Sequence, residues 1–564
     1  MQIPKIPPGM TAEGLVHEAR QLRAAGRLLE AHAVFTIAAV NAPTVLTAWS
    51  GLGLVCHDLS LFPQAAEAFG RAVELAPDDA ILWRNLGSVL LLGGGTSSGA
   101  IAALERAVAL DPAMVAAWDD LGMARLSVWG KVGGSVEAYD RALALAPERI
   151  DIESRRLLAL AFDEDVADET LFDAHRKFGR RYDGLADRTP FPNLPDPERR
   201  LRVGYLSSNV HAHIGSAVLR PLFVLHDRAQ VEVIVYAASP VEDHVSAELK
   251  PLADLWVPCA ALDEVSLAAR IRADRIDVLI HSMGSWPDHR LGVLAHRSAP
   301  VQVECISQSP AICMAEVDAN IVDPWLAAGG LLGRLSGDRI VELPSGYFTT
   351  SMLPDRPILP APRHRGGPPV VLGSFNRLAK ISPGTVRRWA RVMAQLPDAP
   401  LIVKGPEKLD ESEVVRMRAA WRDLGIDVSR VEFRGHVDGD GYWDNFADVD
   451  LLLDSLPFNG GRTTTCGAWM GVPTISERAR PPYGRLGDCI LSRLGCADLV
   501  ADDADGYVAK AVALARDPVR LDDYRANLRG RFAQSTLLES PHYVRELEAA
   551  LRMLWREWCA KAGK

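Results

Sequence analysis

Two spacings of apolar residues divide the chain. As far as about residue 180, alanine-rich stretches repeat the pattern of paired helices, and from residue 201 short β-branched runs alternate with helical stretches. LRVGYLSS (201–208), VEVIVYAAS (231–239), IDVLIHS (276–282), VQVECIS (301–307) and ANIVD (319–323) read as buried parallel strands joined by crossover helices. A second set follows: VVLGSFN (370–376), PLIVKG (400–405), VEFRGH (431–436), VDLLLDS (449–455), VPTIS (472–476) and ADLVAD (497–502). Two doubly wound lobes in tandem imply a cleft onto which the carboxyl ends of the strands open. The last helix, ending in MLWREWCA, is expected to pack back onto a lobe.

The first part is a true repeat. Pro43, Pro77, Pro112 and Pro147 recur at intervals of 34, 35 and 35 residues, and the first three are followed six residues on by Trp49, Trp83 and Trp118. Leu52-Gly53, Leu86-Gly87 and Leu121-Gly122 come three residues after each tryptophan. Eight residues before each proline stand Phe35, Phe69, Leu104 and Tyr139, with Ala31, Ala65, Ala100 and Ser135 four positions earlier. The small residue lets two helices approach and the proline stops the second one. The pattern resembles the tetratricopeptide repeat, whose stacked helix pairs form a solenoid with a concave binding face. Gly51, Asn85 and Asp120 are expected to line that face without a repeating polar ladder. Residues 180–200, rich in proline and charge, read as the boundary. The expected division is 1–180 for the repeats, 181–365 for the first α/β lobe and 366–564 for the second with the terminal helix.

Composition narrows the function. A chain of 564 residues exceeds one compact core, and a net charge of -10 argues against a chain-wide surface for nucleic acid while leaving room for a local phosphate pocket. The eight cysteines show no two-residue spacing that suits zinc or a redox dithiol, so buried, reduced thiols are expected. No run of about 18 apolar residues is present, and MQIPKIPPGMTAEGLVHEAR does not read as an export leader. From these features a cytoplasmic protein, away from membranes, is expected.

The stretch LPFNGGRTTTCGAWMGVP (456–473) carries the chemistry. After the buried run VDLLLDS, the glycines make a turn and the threonines open a helix, so the amides near Thr463, Thr464 and Thr465 face outward at a helix N-terminus. Their hydroxyls either cap the helix or bond phosphate oxygens. Lys380, four residues after the Asn376 that closes a strand, stands where its ammonium can meet a diphosphate.

GSFNRLAKISPGTVRRWARVM (373–393), LDSLPFNGGRTTTCGAWMGVP, LSRLGCADLVA (491–501) and VGYLSSNVHAHIGS (203–216) occur in an order that resembles the O-linked N-acetylglucosamine transferase family, including its bacterial and SPINDLY-type members, over nearly the whole chain. The resemblance implies a GT-B fold behind a tetratricopeptide solenoid, with two Rossmann-like lobes. It also implies inverting transfer of N-acetylglucosamine from UDP-N-acetylglucosamine to serine or threonine of proteins, with neither metal nor cofactor. UDP would leave as product, protein acceptors would enter through the repeat groove, and a homodimer is compatible with it. Carried over residue by residue, it puts Lys380 on the diphosphate with Arg377 as a second cation, and Gly461 and Thr463 to Thr465 around the same group. It places Tyr442 against the uracil and gives Val437 a backbone contact to the base. His213 stands near sugar and acceptor, taking the acceptor proton or orienting the acceptor, with His211 as a weaker rival. His281, closing IDVLIHS, is a second cleft candidate. Two departures stand out. Cys466 and Gly467 occupy the place of an acid that holds the ribose, so that contact is absent or supplied elsewhere, and ECISQSPAICMAE (304–316) replaces a tryptophan-leucine-glycine-tyrosine-proline-glycine stretch. Two alternatives stay open: a transferase of the same fold using another UDP-hexose, and a catalytically weak repeat scaffold that still binds UDP.

Overall fold

The computed structural model describes residues 10–306, 311–351, 353–406, 409, 411–437 and 441–562. The chain divides into two compact units, one running to Ala159 together with Pro406–Ala419, the other Leu160–Gly405 with Ala420–Lys564.

In the first unit, helix pairs such as Leu46–Asp58 with Phe62–Leu75 and Val115–Leu126 with Val132–Leu145 explain the repeat atom by atom. The indoles of Trp49, Trp83 and Trp118 donate to the carbonyls of Pro43, Pro77 and Pro112 at 2.9, 2.8 and 2.9 Å, which fixes the six-residue spacing. A Cβ on Gly53 would fall 2.8 Å from the Phe69 ring, one on Gly87 2.5 Å from Leu104, and one on Gly122 2.4 Å from Tyr139. Glycine is demanded there by helix approach rather than by backbone conformation. Ala31, Ala65, Ala100 and Ser135 are fully buried in the same contacts. The expected groove lining is corrected at two places. Gly51 abuts Phe35, and Asp120 is buried beneath Arg84, which holds its carboxylate at 2.7 Å.

The second unit contains two parallel sheets. In the first lobe β1 (Leu201–Ser207), β2 (Val231–Ala237), β3 (Leu255–Pro258), β4 (Val278–His281), β5 (Val301–Cys305), β6 (Ala319–Val322) and β7 (Ile340–Glu342) take the order β3-β2-β1-β4-β5-β6-β7. In the second lobe β8 (Leu372–Ser374), β9 (Leu401–Lys404), β10 (Val431–Arg434), β11 (Leu451–Leu453), β12 (Thr474–Glu477) and β13 (Val500–Ala501) take the order β10-β9-β8-β11-β12-β13. Both contain the 3-2-1-4-5-6 arrangement of dinucleotide-binding sheets, whose strand order reverses beside the first strand. The short strands β3 and β7 are the ones the sequence pattern does not announce.

Helix Asp168–Arg180, grouped with the repeats on sequence, belongs to the second unit. Its Phe178 ring meets His289 at 5.6 Å and its His175 meets the Tyr483 hydroxyl at 3.3 Å. Pro541–Ala562 crosses back to the first lobe, where Tyr543, Leu547, Leu551 and Trp555 join the core of Val203, Val233, Ile280 and Val303. The Trp555 indole donates to the Asp196 carbonyl at 2.9 Å. Among the described residues no helix is long and apolar enough to cross a membrane.

Candidate functional site

The loops after β1 and β4 in one lobe, and after β8 and β11 in the other, line a single cavity of about 1280 Å³. They are the loops at the two points where strand order reverses, where open α/β sheets bind ligands.

On the second lobe the chain leaves β11 at Asp454, whose buried carboxylate accepts the amides of Ser455 and Gly460 at 2.8 and 2.7 Å and the Ser476 hydroxyl at 2.7 Å. Burial pushes this carboxyl up to about 6, against the pull of those hydrogen bonds and of Lys380. The turn that follows is tight, since a Cβ on Gly460 would stand 2.7 Å from the Asn376 amide oxygen. Helix Arg462–Trp469 then starts behind Gly461 with no side-chain cap. Its threonine hydroxyls are spent on main-chain oxygens: Thr463 on Phe375 at 3.2 Å, Thr464 on Gly460 at 2.5 Å and Thr465 on Gly461 at 2.9 Å. A hydroxyl has one proton to give, so in this arrangement the first-turn amides, and not these hydroxyls, are the donors left facing outward.

Lys380 reaches this turn from the short helix Leu378–Lys380 after β8. Its ammonium donates to the Asn459 carbonyl at 3.1 Å and lies 4.0 Å from the centre of the Phe458 ring. Burial pulls it down to about 7; Asp454 opposes the fall and Arg377 adds to it. Arg377, Lys380 and Arg462 all line the cavity beside a helix N-terminus, and the Arg462 guanidinium lies 5.7 Å from the centre of the Trp443 ring.

On the first lobe, His211 and His213 line the same cavity, their rings 5.8 Å apart. Partial desolvation and then the neighbouring His211 hold His213 below the ordinary imidazole value. The structure does not bring His281 to this surface. It is fully buried, with Nδ1 2.5 Å from Glu304 and Nε2 on the His289 carbonyl. Burial lowers its pKa, but the Glu304 carboxylate outweighs that and leaves it raised.

Tyr442 stands apart from the cavity wall, half-buried with its ring edge-on to Trp443 and Phe446 and 5.3 Å from the Lys404 ammonium. Val437, three residues after β10, is 40% exposed. Residues 438–440, within the stretch expected to form the nucleotide edge, and 307–310, within the departing stretch 304–316, lie outside the described residues. Cys466 is fully buried, and a Cβ on Gly467 would strike Leu452 at 2.5 Å, so both positions face the sheet and not the cleft. All eight cysteines are free thiols, and all but Cys313 are buried.

Sequence reasoning passed over Asp454, Asn459 and Arg462. The signal for Asp454 was present, since an aspartate closing the apolar run VDLLLDS needs backbone donors to remain buried.

A helical repeat solenoid joined to two Rossmann-like lobes, with an anion-ready cavity at their facing switch points, defines a tetratricopeptide protein of the GT-B class. The chain belongs to glycosyl transferase family 41, whose model matches residues 188–324 and 351–547, while a tetratricopeptide repeat model matches 17–80 and 58–113. It is 31% identical over 423 residues to the Arabidopsis thaliana protein named probable UDP-N-acetylglucosamine–peptide N-acetylglucosaminyltransferase SPINDLY, covering 73% of this chain and 46% of that one. It is 23% identical over 412 residues to the Arabidopsis thaliana protein of the same activity name called SEC, covering 68% and 41%. The chain thus spans about half the length of these curated relatives. A solved lysine-to-methionine variant of the Thermobaculum terrenum O-GlcNAc transferase aligns with a TM-score of 0.83 at 29% identity, covering 92% of this chain and 99% of that one.

Proposed function

We propose that the protein is a glycosyltransferase that moves N-acetylglucosamine from UDP-N-acetylglucosamine to serine or threonine hydroxyls of proteins, with inversion and without a metal. The observation that carries this reading is the convergence of Arg377, Lys380, Arg462 and the uncapped turn at Gly461 on one cavity. As the bond from the sugar to the β-phosphate breaks, negative charge gathers on the diphosphate, and prearranged cations and amides stabilise it most where water is scarce. The sugar and the protein acceptor follow from the names of the relatives. Tyr442, with Val437 nearby in sequence, is assigned to the base, and His213 to the sugar and acceptor. The solenoid supplies a surface for protein acceptors, and the buried free thiols suit a reducing cytoplasm.

Calorimetry with UDP, followed by mass spectrometry of a serine- and threonine-rich peptide library incubated with a panel of UDP-sugars, tests the proposal. Binding of UDP with peptides heavier by one N-acetylhexosamine is expected. Absence of UDP binding overturns the transferase reading, and preferential transfer of a plain hexose overturns the choice of sugar.

A further inference from the structure

We propose that His211, rather than His213, takes the proton from the acceptor hydroxyl, and that His213 serves as a hydrogen-bond donor beside it. The assignment rests on the transfer reading above and on where the backbone fixes the ring protons.

The Nδ1 of His211 lies 3.1 Å from the Ser208 carbonyl oxygen. A carbonyl has no proton to give, so Nδ1 bears the hydrogen, and the neutral ring keeps its lone pair on Nε2. The Nδ1 of His213 faces the opposite partner, the Gly215 amide, at 3.0 Å. An amide only donates, so this Nδ1 holds the lone pair and Nε2 holds the hydrogen. Neither Nε2 has a protein partner among the described residues, and both rings line the cavity that contains Lys380 and Gly461. One imidazole is therefore set as a base and its neighbour as a donor.

The loop that enforces this is well anchored. The Ala212 amide donates at 2.7 Å to Asp243, a carboxylate already held by the amides of Val245 and Ser246 at 3.0 Å each. Gly215 can approach because it has no side chain, since a Cβ there would lie 2.7 Å from Asn209. Double protonation of His213 would turn an N–H against the Gly215 N–H. The Ser208 carbonyl holds the His211 ring in place through Nδ1.

In the reaction, the acceptor O–H gives its proton to His211 Nε2 as its oxygen bonds to the anomeric carbon. The bond from that carbon to the β-phosphate oxygen breaks, its electron pair leaves with UDP, and the imidazolium later returns its proton to water.

Glutamine places a nitrogen donor near the Nε2 position but cannot act as a base, so it separates the roles. With UDP-N-acetylglucosamine and the peptide library, His211→Gln is expected to lower kcat by about 10²–10⁴-fold, with UDP affinity by calorimetry unchanged within about two-fold. His213→Gln should fall at least about ten-fold less. Equal or greater loss in His213→Gln overturns the proposal. Long-range ¹H–¹⁵N spectra of the ligand-free full chain, labelled at histidine, decide independently of turnover. Hydrogen on Nδ1 of His211 and on Nε2 of His213 is expected, and the reverse pair overturns the assignment. A wild type that binds UDP but glycosylates no peptide would count against the transfer reading, while the spectra would still judge the proton placement.

Discussion

Lys380 donates to the Asn459 carbonyl at 3.1 Å, so the loop after β8 is tied to the turn that opens helix Arg462–Trp469. A lysine in this position is partly desolvated, and the proposed function gives its charge a ligand anion to meet. Lys380→Met should therefore weaken UDP binding and lower turnover by roughly 10²-fold, yet raise the melting temperature of the ligand-free protein by about 1–3 °C, because a half-buried, partly desolvated ionisable group is exchanged for an apolar one. Calorimetry and thermal unfolding on the same samples check both signs, and loss of stability together with unchanged binding contradicts the role.

The pH dependence of that site follows from a Lys380 pKa lowered to about 7. A bound diphosphate favours the ammonium, so binding above pH 7 draws a proton from solution. UDP affinity should fall as pH rises from 7.5 to 9, by at most about ten-fold per unit for one proton. Calorimetry in buffers of different ionisation enthalpy should register the uptake. Stability of the ligand-free protein runs the other way. Between about pH 7 and 10.5 the unfolded chain holds a proton that the native lysine has lost, so this group makes stability rise with pH.

Much of this site can be read in the sequence, and the limits have physical causes. Pro43-to-Trp49 spacing is visible because a single hydrogen bond dictates it, and the strands of the second lobe are visible because most of them, such as β9 and β11, are buried on both faces. Lys380 and Gly461 fall in stretches with distinctive order. What stayed hidden depends on direction rather than on pattern. His281 ends a strand beside the cleft but turns inward to Glu304, and Gly467 lies on the sheet side of its helix. The difference between His211 and His213 lies in one carbonyl and one amide, which no residue type reports.

Asp454 holds the glycine turn through the amides of Ser455 and Gly460. Asp454→Ala leaves both donors buried without an acceptor and is expected to destabilise the second lobe by about 2–4 kcal/mol. Asp454→Asn keeps an oxygen for the two amides and turns its NH2 toward Ser476, so its loss should stay near 1 kcal/mol. Urea unfolding of the two variants measures the contrast, and equal losses would mean that the charge, not the acceptor geometry, organises the turn.

His281 and Glu304 form a fully buried pair beneath the loop that carries Ser282, Met283 and Trp286 into the cavity. Glu304 also accepts the Gly284 amide at 3.0 Å, so the pair fixes both the strand end and the start of the loop. Removing one partner strands the other charge, and His281→Leu or Glu304→Val should each cost about 3–5 kcal/mol. The double variant should lose less than the sum of the two, with a coupling of about 2 kcal/mol or more in a double-mutant cycle. The raised His281 pKa gives the pH sign. Its contribution is complete below the unfolded histidine value near 6.5 and declines as pH climbs through the higher native value. Wild-type stability should therefore drop over that alkaline interval while the double variant stays flatter, and additive single-variant losses with parallel pH curves would show that the two side chains act separately.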